Sequence, residues 1–241
     1  ITWFVKKIYH YSTALTSWSW TWLYGKRKEN EIDYSKLIIK EGIAFDLDDT
    51  LVDTMALWFD ELTKLFGRPE DIALKEFIEK YQACQKPEYW QTNEALQWMG
   101  NFSSSNEDQK RIPIIDGALE CILKIQDIVP VSAYITTRPD IVYEGTKYWL
   151  DHHGFPDAPI ILRPSNVSFR NSSMWKAFVL KQLFPKVKGI VDDNYAMIPY
   201  LGASNETGKD IYQGDVIIYN RTQEQFDKLG LETQVKVHPC K

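Results

Sequence analysis

The chain has 241 residues, 44% of them hydrophobic and 25% charged, which is enough for one large α/β domain or a domain that carries an insertion. Its formal net charge of -5 excludes a general attraction for nucleic acid, so no nucleic-acid partner is expected. The cysteines, Cys84, Cys121 and Cys240, have no metal-ligand spacing and indicate free thiols in the cytoplasm, the first two filling the core.

Asparagines in N-x-S/T acceptor sequences are more frequent than the serine and threonine content predicts, which points to a secretory compartment instead. The sequence alone leaves both compartments open. The acceptor asparagines are Asn101, Asn166, Asn171, Asn205 and Asn220.

Residues 1–33 are predicted to form an amphipathic aromatic helix followed by a charged linker. Apolar side chains recur three and four positions apart and therefore share one helical face. The segment is too polar to span a bilayer, but its face fits the core of this chain, a second subunit or a membrane surface. The apolar positions are Phe4, Ile8, Tyr11, Leu15, Trp18 and Trp22.

A short apolar strand, 43–45, is followed directly by Asp46, Asp48, Asp49 and Thr50. Buried strands are built from apolar residues, and carboxylates at the end of one are costly unless a cation or a substrate compensates them. The pattern therefore predicts a divalent metal site. The alternative is an acidic turn that closes the strand.

The next segments are predicted to form a small all-helical insertion. Asp53 or Thr54 can cap its first helix, which ends before Gly67, and the polar stretch at its end has the composition of an exposed loop. The predicted helices cover 54–66, 70–85 and 87–99, and the predicted loop covers 101–110.

Helices and strands then alternate, which predicts a parallel sheet. The second strand, 131–135, ends in Thr136, Thr137 and Arg138, where hydroxyl and backbone N–H groups are suited to hold a phosphate. The remaining predicted elements are helices over 116–128 and 143–153, strands over 160–162, 189–191 and 216–219, and a helix that carries Lys176.

The strand over 189–191 is followed by a second pair of acids, Asp192 and Asp193. Parallel strands end at the same edge of a sheet, and open α/β sheets bind ligands there. The two acidic strand ends are therefore expected to converge at one site.

Four motifs in this order, FDLDDT, ITT, Lys176 and VDDN, resemble those of the haloacid dehalogenase-like phosphohydrolases over 43–220. The resemblance implies a doubly wound parallel sheet as the core domain (34–54 and 113–241) and a helical cap domain (55–112). It also implies Mg²⁺ as cofactor and a small phosphorylated metabolite or nucleotide as substrate.

The resemblance also implies a role for each motif residue. Asp46 is the expected nucleophile and Asp48 the general acid and base, for which a raised pKa is expected. The metal ligands are then Asp46, the backbone carbonyl of Asp48 and the Asp192–Asp193 pair. Thr136, Thr137, Arg138 and Lys176 are expected to bind the phosphoryl group.

Asp48 favours a phosphatase over a dehalogenase, since dehalogenases of this family lack an acid at that position. Three alternatives stay open at this point: a phosphomutase, a nucleotidase-like enzyme and a non-catalytic phosphate-binding scaffold. The region 135–164 also resembles nucleotidase-like phosphatases.

Overall fold

The computed structural model describes residues 32–202, 211–231 and 233–240. The apolar positions of the predicted N-terminal helix, and Asn205, lie outside these residues. Among the residues described, no helix is both long and apolar enough to cross a lipid bilayer.

The described residues form one sheet flanked by helices. The strands are β1 (Gly42–Phe45), β2 (Val131–Pro139), β3 (Ile160–Arg163), β4 (Val187–Asp192), β5 (Asp215–Tyr219) and β6 (Lys236–Cys240). The α-helices are α1 (Thr54–Phe66), α2 (Leu74–Tyr81), α3 (Asn93–Ser103), α4 (Asn106–Lys110), α5 (Ala118–Gln126), α6 (Tyr143–His153), α7 (Ser172–Leu183), α8 (Ile198–Gly202) and α9 (Gln223–Asp227).

All neighbouring strands are parallel, in the order β3-β2-β1-β4-β5-β6. The order reverses between β1 and β4, which is the position where open α/β sheets bind their ligands, at the carboxyl ends of the strands. Phe45 pairs with Val191 at this position, so Asp46 and Asp192 leave the sheet side by side. The doubly wound parallel sheet expected from the sequence is confirmed.

Alternate residues of the strands pack into two apolar clusters, one on each face of the sheet. Ala44 and Ala133 belong to the cluster that contains α7 and α8. Phe45 and Tyr134 belong to the other cluster, together with side chains of α1, α2, α3 and α6. The helices between β1 and β2 therefore share a continuous core with the sheet.

The first helix of the insertion begins where the sequence predicts. The side chain of Asp53 accepts a hydrogen bond from the backbone N–H of Ala56 at 3.1 Å and caps α1. The helix ends before Gly67, whose φ of +71° is not helical.

The loop predicted over 101–110 is wrong. Its first residues continue α3 to Ser103, and a further helix, α4, follows. Ser105 caps α4 by accepting a hydrogen bond from the N–H of Asp108, and Gln109 is buried, donating from Nε2 to the carbonyl of Phe102. The polar residues of this segment, which are typical of turns, here include a helix cap and a buried side-chain amide.

The other two helix predictions in the insertion are wrong in their bounds. Helix α2 is shorter than 70–85 because Gln82 adopts a left-handed conformation with φ +61° and ends it. The helix predicted over 87–99 is divided into a 3-10 turn and α3, since Thr92 caps a new helix by accepting from the N–H of Ala95.

The prediction that Cys84 and Cys121 fill the core is correct for Cys84 only. Cys84 is buried, as expected, while Cys121 and Cys240 are exposed. Cys121 lies on the outer face of α5, whose buried residue is Ile122. Residues spaced three and four apart form a stripe that covers less than half of a short helix. A shift of one position therefore decides whether a side chain is buried in the core or exposed to solvent.

Replacing Gly145 with Ala is expected to lower the free energy of unfolding by about 1–3 kcal/mol, because this glycine sits where α6 touches α4. A Cβ at this position would lie 2.2 Å from the backbone oxygen of Asn106, whose side chain accepts from the Gly145 N–H at 2.6 Å. Urea unfolding of both proteins measures the difference.

Gly100→Ala is the matched control, since a Cβ there meets no heavy atom within 4 Å. It lies inside α3, where Ala is favoured over Gly by about 1 kcal/mol, so the control is expected to be more stable. Equal stability of the two variants would show that α4 and α6 are not in this contact.

Candidate active site

Carboxylates and one lysine meet where the strand order of the sheet reverses. Asp46 follows β1, and its backbone N–H donates to the carbonyl of Val191 at 2.9 Å, which fixes it beside the end of β4. Lys176 reaches this edge from the second turn of α7. Three of the predicted motifs, FDLDDT, Lys176 and VDDN, are thus brought together. The parallel topology predicts this for the two acidic strand ends, and the family resemblance predicts it for Lys176.

Lys176 is a buried cation between two carboxylates. Its Nζ lies 2.9 Å from Oδ1 of Asp46 and 2.7 Å from Oδ2 of Asp192, and all three side chains are at least nine-tenths buried. Burial by itself would lower the pKa of Lys176, but Asp192 and Asp46 raise it above its ordinary value. The lysine is therefore charged and is not a surface residue.

The acids at this edge outnumber the cation. Asp46, Asp192 and Asp193 can each place a ligand atom within 4.8 Å of the others. Burial raises the pKa of Asp46 to about 7, opposed by Lys176, and burial together with Asp192 raises the pKa of Asp193 well above its ordinary value. Burial is the main cause of both shifts, and the single charge of Lys176 does not cancel them.

The donor set fits a hard divalent cation such as Mg²⁺, which prefers oxygen ligands. Within the part of the chain that the structure describes, no N–H group is directed at Oδ1 of Asp46 with hydrogen-bond geometry, although Lys176 lies close to it. An oxygen that lies near Lys176 without hydrogen-bond geometry, in a cluster with more acids than cations, is what a bound cation would satisfy.

The two acids after β4 are in different surroundings. Asp192 is fully buried, and both of its oxygens are engaged: Oδ2 with Lys176 and Oδ1 with the backbone N–H of Asn194 at 2.8 Å. Asp193 is partly exposed, and its backbone N–H donates to Oγ1 of Thr50 at 3.1 Å. Asp193 is therefore the acid with the more accessible carboxylate.

Asp48 is held by an arginine. Nε and Nη2 of Arg138 donate to its two oxygens at 2.9 and 2.7 Å, and Thr54 donates to Oδ1 at 2.6 Å. Burial would raise the pKa of Asp48, but the Arg138 fork and Thr54 outweigh it, so the pKa is lowered. The raised pKa expected from the sequence is wrong, since a pairing across 90 positions leaves no pattern in the sequence.

The segment predicted to bind phosphate lies within β2, which continues through Thr136 to Pro139. Its pairing with β3 is interrupted between these two residues, a bulge of the kind found beside functional sites. The Thr136 hydroxyl is buried and accepts from the N–H of Arg138 at 3.3 Å, and the carbonyl of Thr137 accepts from Arg163 at 3.0 Å. Of these residues, the structure pairs only Arg138 with one of the motif acids.

The turn after β1 is shaped by the two motif residues given no role in the chemistry. Asp49 has a φ of +59°, and its side chain accepts from the N–H of Met55 at 2.8 Å. Thr50 is buried and ties the turn to Asp193. Two contacts near the motif acids are not predicted by the sequence. Thr54 donates to Asp48, and Oγ1 of Thr146 lies 3.4 Å from Nη1 of Arg138.

Comparison with known proteins gives partial matches. No family model matches the chain. It is 27% identical over 125 residues to a protein of Oceanobacillus iheyensis named "Putative nucleotidase", and the match covers 46% of this chain and 58% of that relative. The match thus spans little more than half the length of the relative.

Two solved structures also align. One is a HAD family hydrolase from Deinococcus radiodurans with bound phosphate and sodium, at 14% identity and a TM-score of 0.43 over 83% of this chain and 91% of that one. The other is a protein of unknown function from Bordetella pertussis, with the same identity and TM-score, over 83% of this chain and 99% of that one. Such scores lie below the level at which a shared function can be inferred.

Proposed function

We propose that this chain is a magnesium-dependent phosphatase of the haloacid dehalogenase-like superfamily, which hydrolyses a small phosphomonoester through an aspartyl-phosphate on Asp46. The observation that carries the proposal is the meeting of Asp46, Asp192, Asp193 and Lys176 at the point where the strand order reverses. Two buried acids that share one lysine, with a third acid beside them, form the kind of cluster that active sites assemble, so a catalytic use explains their position.

The proposed metal ligands are Asp46, the backbone carbonyl of Asp48 and Asp193. Asp192, whose oxygens are already engaged, anchors Lys176 beside them. When bound, the cation would neutralise the acids and the phosphoryl oxygens, so that an anionic substrate can approach. Without it, the cluster repels its own substrate.

In the proposed first step, a carboxylate oxygen of Asp46 attacks phosphorus and the bond from phosphorus to the leaving oxygen breaks. Asp48 gives a proton to the leaving oxygen, which departs as an alcohol. Lys176 offsets the charge on Asp46 and on the transferred group. Thr136 and Thr137 are proposed to hold the phosphoryl oxygens, the role that the resemblance also assigns to Arg138.

In the second step, Asp48 takes a proton from water, which attacks the aspartyl-phosphate and releases inorganic phosphate. Asp46 is then a carboxylate again, and Asp48 has regained the proton it gave. Because Arg138 lowers the pKa of Asp48, this acid is charged before substrate binds. In the proposal, Asp48 takes the proton that it gives in the first step from the monoanion of the bound phosphomonoester, and it takes up the proton of water in the second step.

The helical insertion is proposed to cover the site as a cap. Helix α1 begins at Thr54, which donates to Asp48, so the helix that leads into the insertion contacts the proposed acid and base directly. A cap that closes over a site excludes water and polymers, which favours a small substrate.

Asp193→Asn is expected to raise the Mg²⁺ concentration for half-maximal activity at least about 10-fold, because it removes the accessible metal ligand. Asp192→Asn is the comparison. It should lower the free energy of unfolding more and the Mg²⁺ affinity less than Asp193→Asn does, since Asp192 binds Lys176. Calorimetry with Mg²⁺ alone measures affinity, and thermal unfolding measures stability. Unchanged Mg²⁺ affinity in Asp193→Asn would contradict the assignment.

A nucleotidase is the second candidate, favoured by the name of the Oceanobacillus iheyensis relative. A panel of nucleoside monophosphates, sugar phosphates and p-nitrophenyl phosphate, assayed with Mg²⁺, tests both candidates. Release of inorganic phosphate from any of them supports a phosphatase, and preference for nucleotides supports the nucleotidase. Transfer to a second sugar without release of phosphate would indicate a phosphomutase. No reaction with any of them would contradict both candidates.

A further inference from the structure

Asp48 is the most completely held of the motif acids. Its two oxygens accept three hydrogen bonds, two from the planar fork of Arg138 and one from Thr54. An ion pair by itself favours the charged form of a carboxylate and does not help it to give up a proton. What the fork supplies is a fixed orientation.

Arg138 is itself fixed on every side. It is 5% exposed and lies at the bulge of β2, and its third nitrogen, Nη1, is 3.4 Å from Thr146 on α6. All three guanidinium nitrogens therefore have partners without a substrate. An arginine that binds substrate phosphate directly would be expected to keep at least one edge free.

We propose that Arg138 is a positioning residue that orients the Asp48 carboxylate for proton transfer to the leaving oxygen, and not a residue that binds the substrate phosphate. The inference rests on the proposed phosphatase activity and differs from the role that sequence resemblance assigns to Arg138. Lysine cannot replace it, because a single ammonium group cannot hold both oxygens in one plane.

When a general acid is misplaced, the rate of hydrolysis falls most for substrates whose leaving oxygen must be protonated. A primary alkyl phosphate releases a strongly basic alkoxide and depends on Asp48, whereas p-nitrophenyl phosphate releases a stable phenolate. In Arg138→Lys, we expect kcat/KM for the alkyl phosphate to fall about 100-fold and that for p-nitrophenyl phosphate less than about 5-fold. The inhibition constant of inorganic phosphate should not change.

Arg111→Lys is the matched control. Arg111 makes the same kind of fork with Glu61, between the two ends of the helical insertion, with Nη2 donating to Oε2 at 3.1 Å. It should leave both kcat/KM values unchanged. Thr54→Val removes the third donor to Asp48. It should change the two kcat/KM values in the same direction as Arg138→Lys, and it replaces that test if Arg138→Lys does not fold.

The results separate the two proposals. An unequal loss with an unchanged phosphate inhibition constant supports the positioning role. Equal losses on both substrates, or weaker inhibition by phosphate, would overturn it in favour of phosphate binding or general disruption of the site. A wild-type protein inactive on both substrates with Mg²⁺ would instead reject the proposed function itself.

Discussion

Asp46→Asn is expected to reduce kcat/KM by at least about 10⁴-fold, because an amide cannot attack phosphorus as a carboxylate does. The substitution keeps the size of the side chain and the backbone contact of residue 46 with Val191, so the sheet should be unchanged. Assays with p-nitrophenyl phosphate and Mg²⁺ measure the loss.

Asp46→Asn should not lower the free energy of unfolding, although it abolishes activity. Burial raises the pKa of Asp46 to about 7, so the folded chain binds this proton more tightly than the unfolded chain. Its contribution to stability is present at acid pH and is lost as the pH rises toward 7. With a chelator at pH 8, Asp46→Asn should therefore be at least as stable as the wild type.

Asp53→Asn is the control for this experiment. Asp53 lies seven positions later and caps α1 by accepting a hydrogen bond from Ala56, and asparagine caps helices equally well. It should keep near-normal activity. If Asp46→Asn and Asp53→Asn had similar activity, Asp46 would not be the nucleophile.

Lys176→Met is expected to cause the largest loss of stability, about 3–5 kcal/mol at pH 8 without metal, because it leaves Asp46 and Asp192 buried without their cation. The loss should narrow at acid pH, where Asp46, whose pKa burial raises to about 7, takes up a proton. Denaturant unfolding at several pH values measures both effects.

Lys147→Met removes an ion pair of the ordinary exposed kind, since Lys147 and Asp151 are both well exposed on α6. Its expected cost is below about 1 kcal/mol. Adding Asp192→Asn to Lys176→Met should recover part of the lost stability, because one of the unpaired charges is then gone. No recovery, together with a small loss for Lys176→Met, would mean that this ion-pair cluster does not stabilise the fold.

The sequence predicts the sheet and the acidic site because both follow from local patterns. Apolar runs that end in Asp46 and in Asp192 mark two strands, and parallel topology requires their ends to meet. Local patterns do not place Lys176 at this site, since a lysine in the second turn of a helix is ordinarily exposed. Only the family resemblance predicts its position. Its burial depends on α7 packing across the sheet.

What the sequence does not predict depends on contacts between distant positions. The pairing of Arg138 with Asp48 reverses the expected pKa shift, and neither residue carries a periodic signal for it. Gln109 in the insertion is buried and Cys121 on α5 is exposed, against the composition of their segments. Each outcome is decided by one hydrogen bond or one helical position.

Trapping the covalent intermediate tests the proposal most directly. The protein is mixed with Mg²⁺ and substrate during turnover, quenched with borohydride, which reduces an acyl phosphate to an alcohol, and digested for mass spectrometry. Homoserine is expected at position 46, with Asp48, Asp192 and Asp193 unmodified. Turnover that leaves Asp46 unmodified while another residue carries the label, or none does, would contradict it.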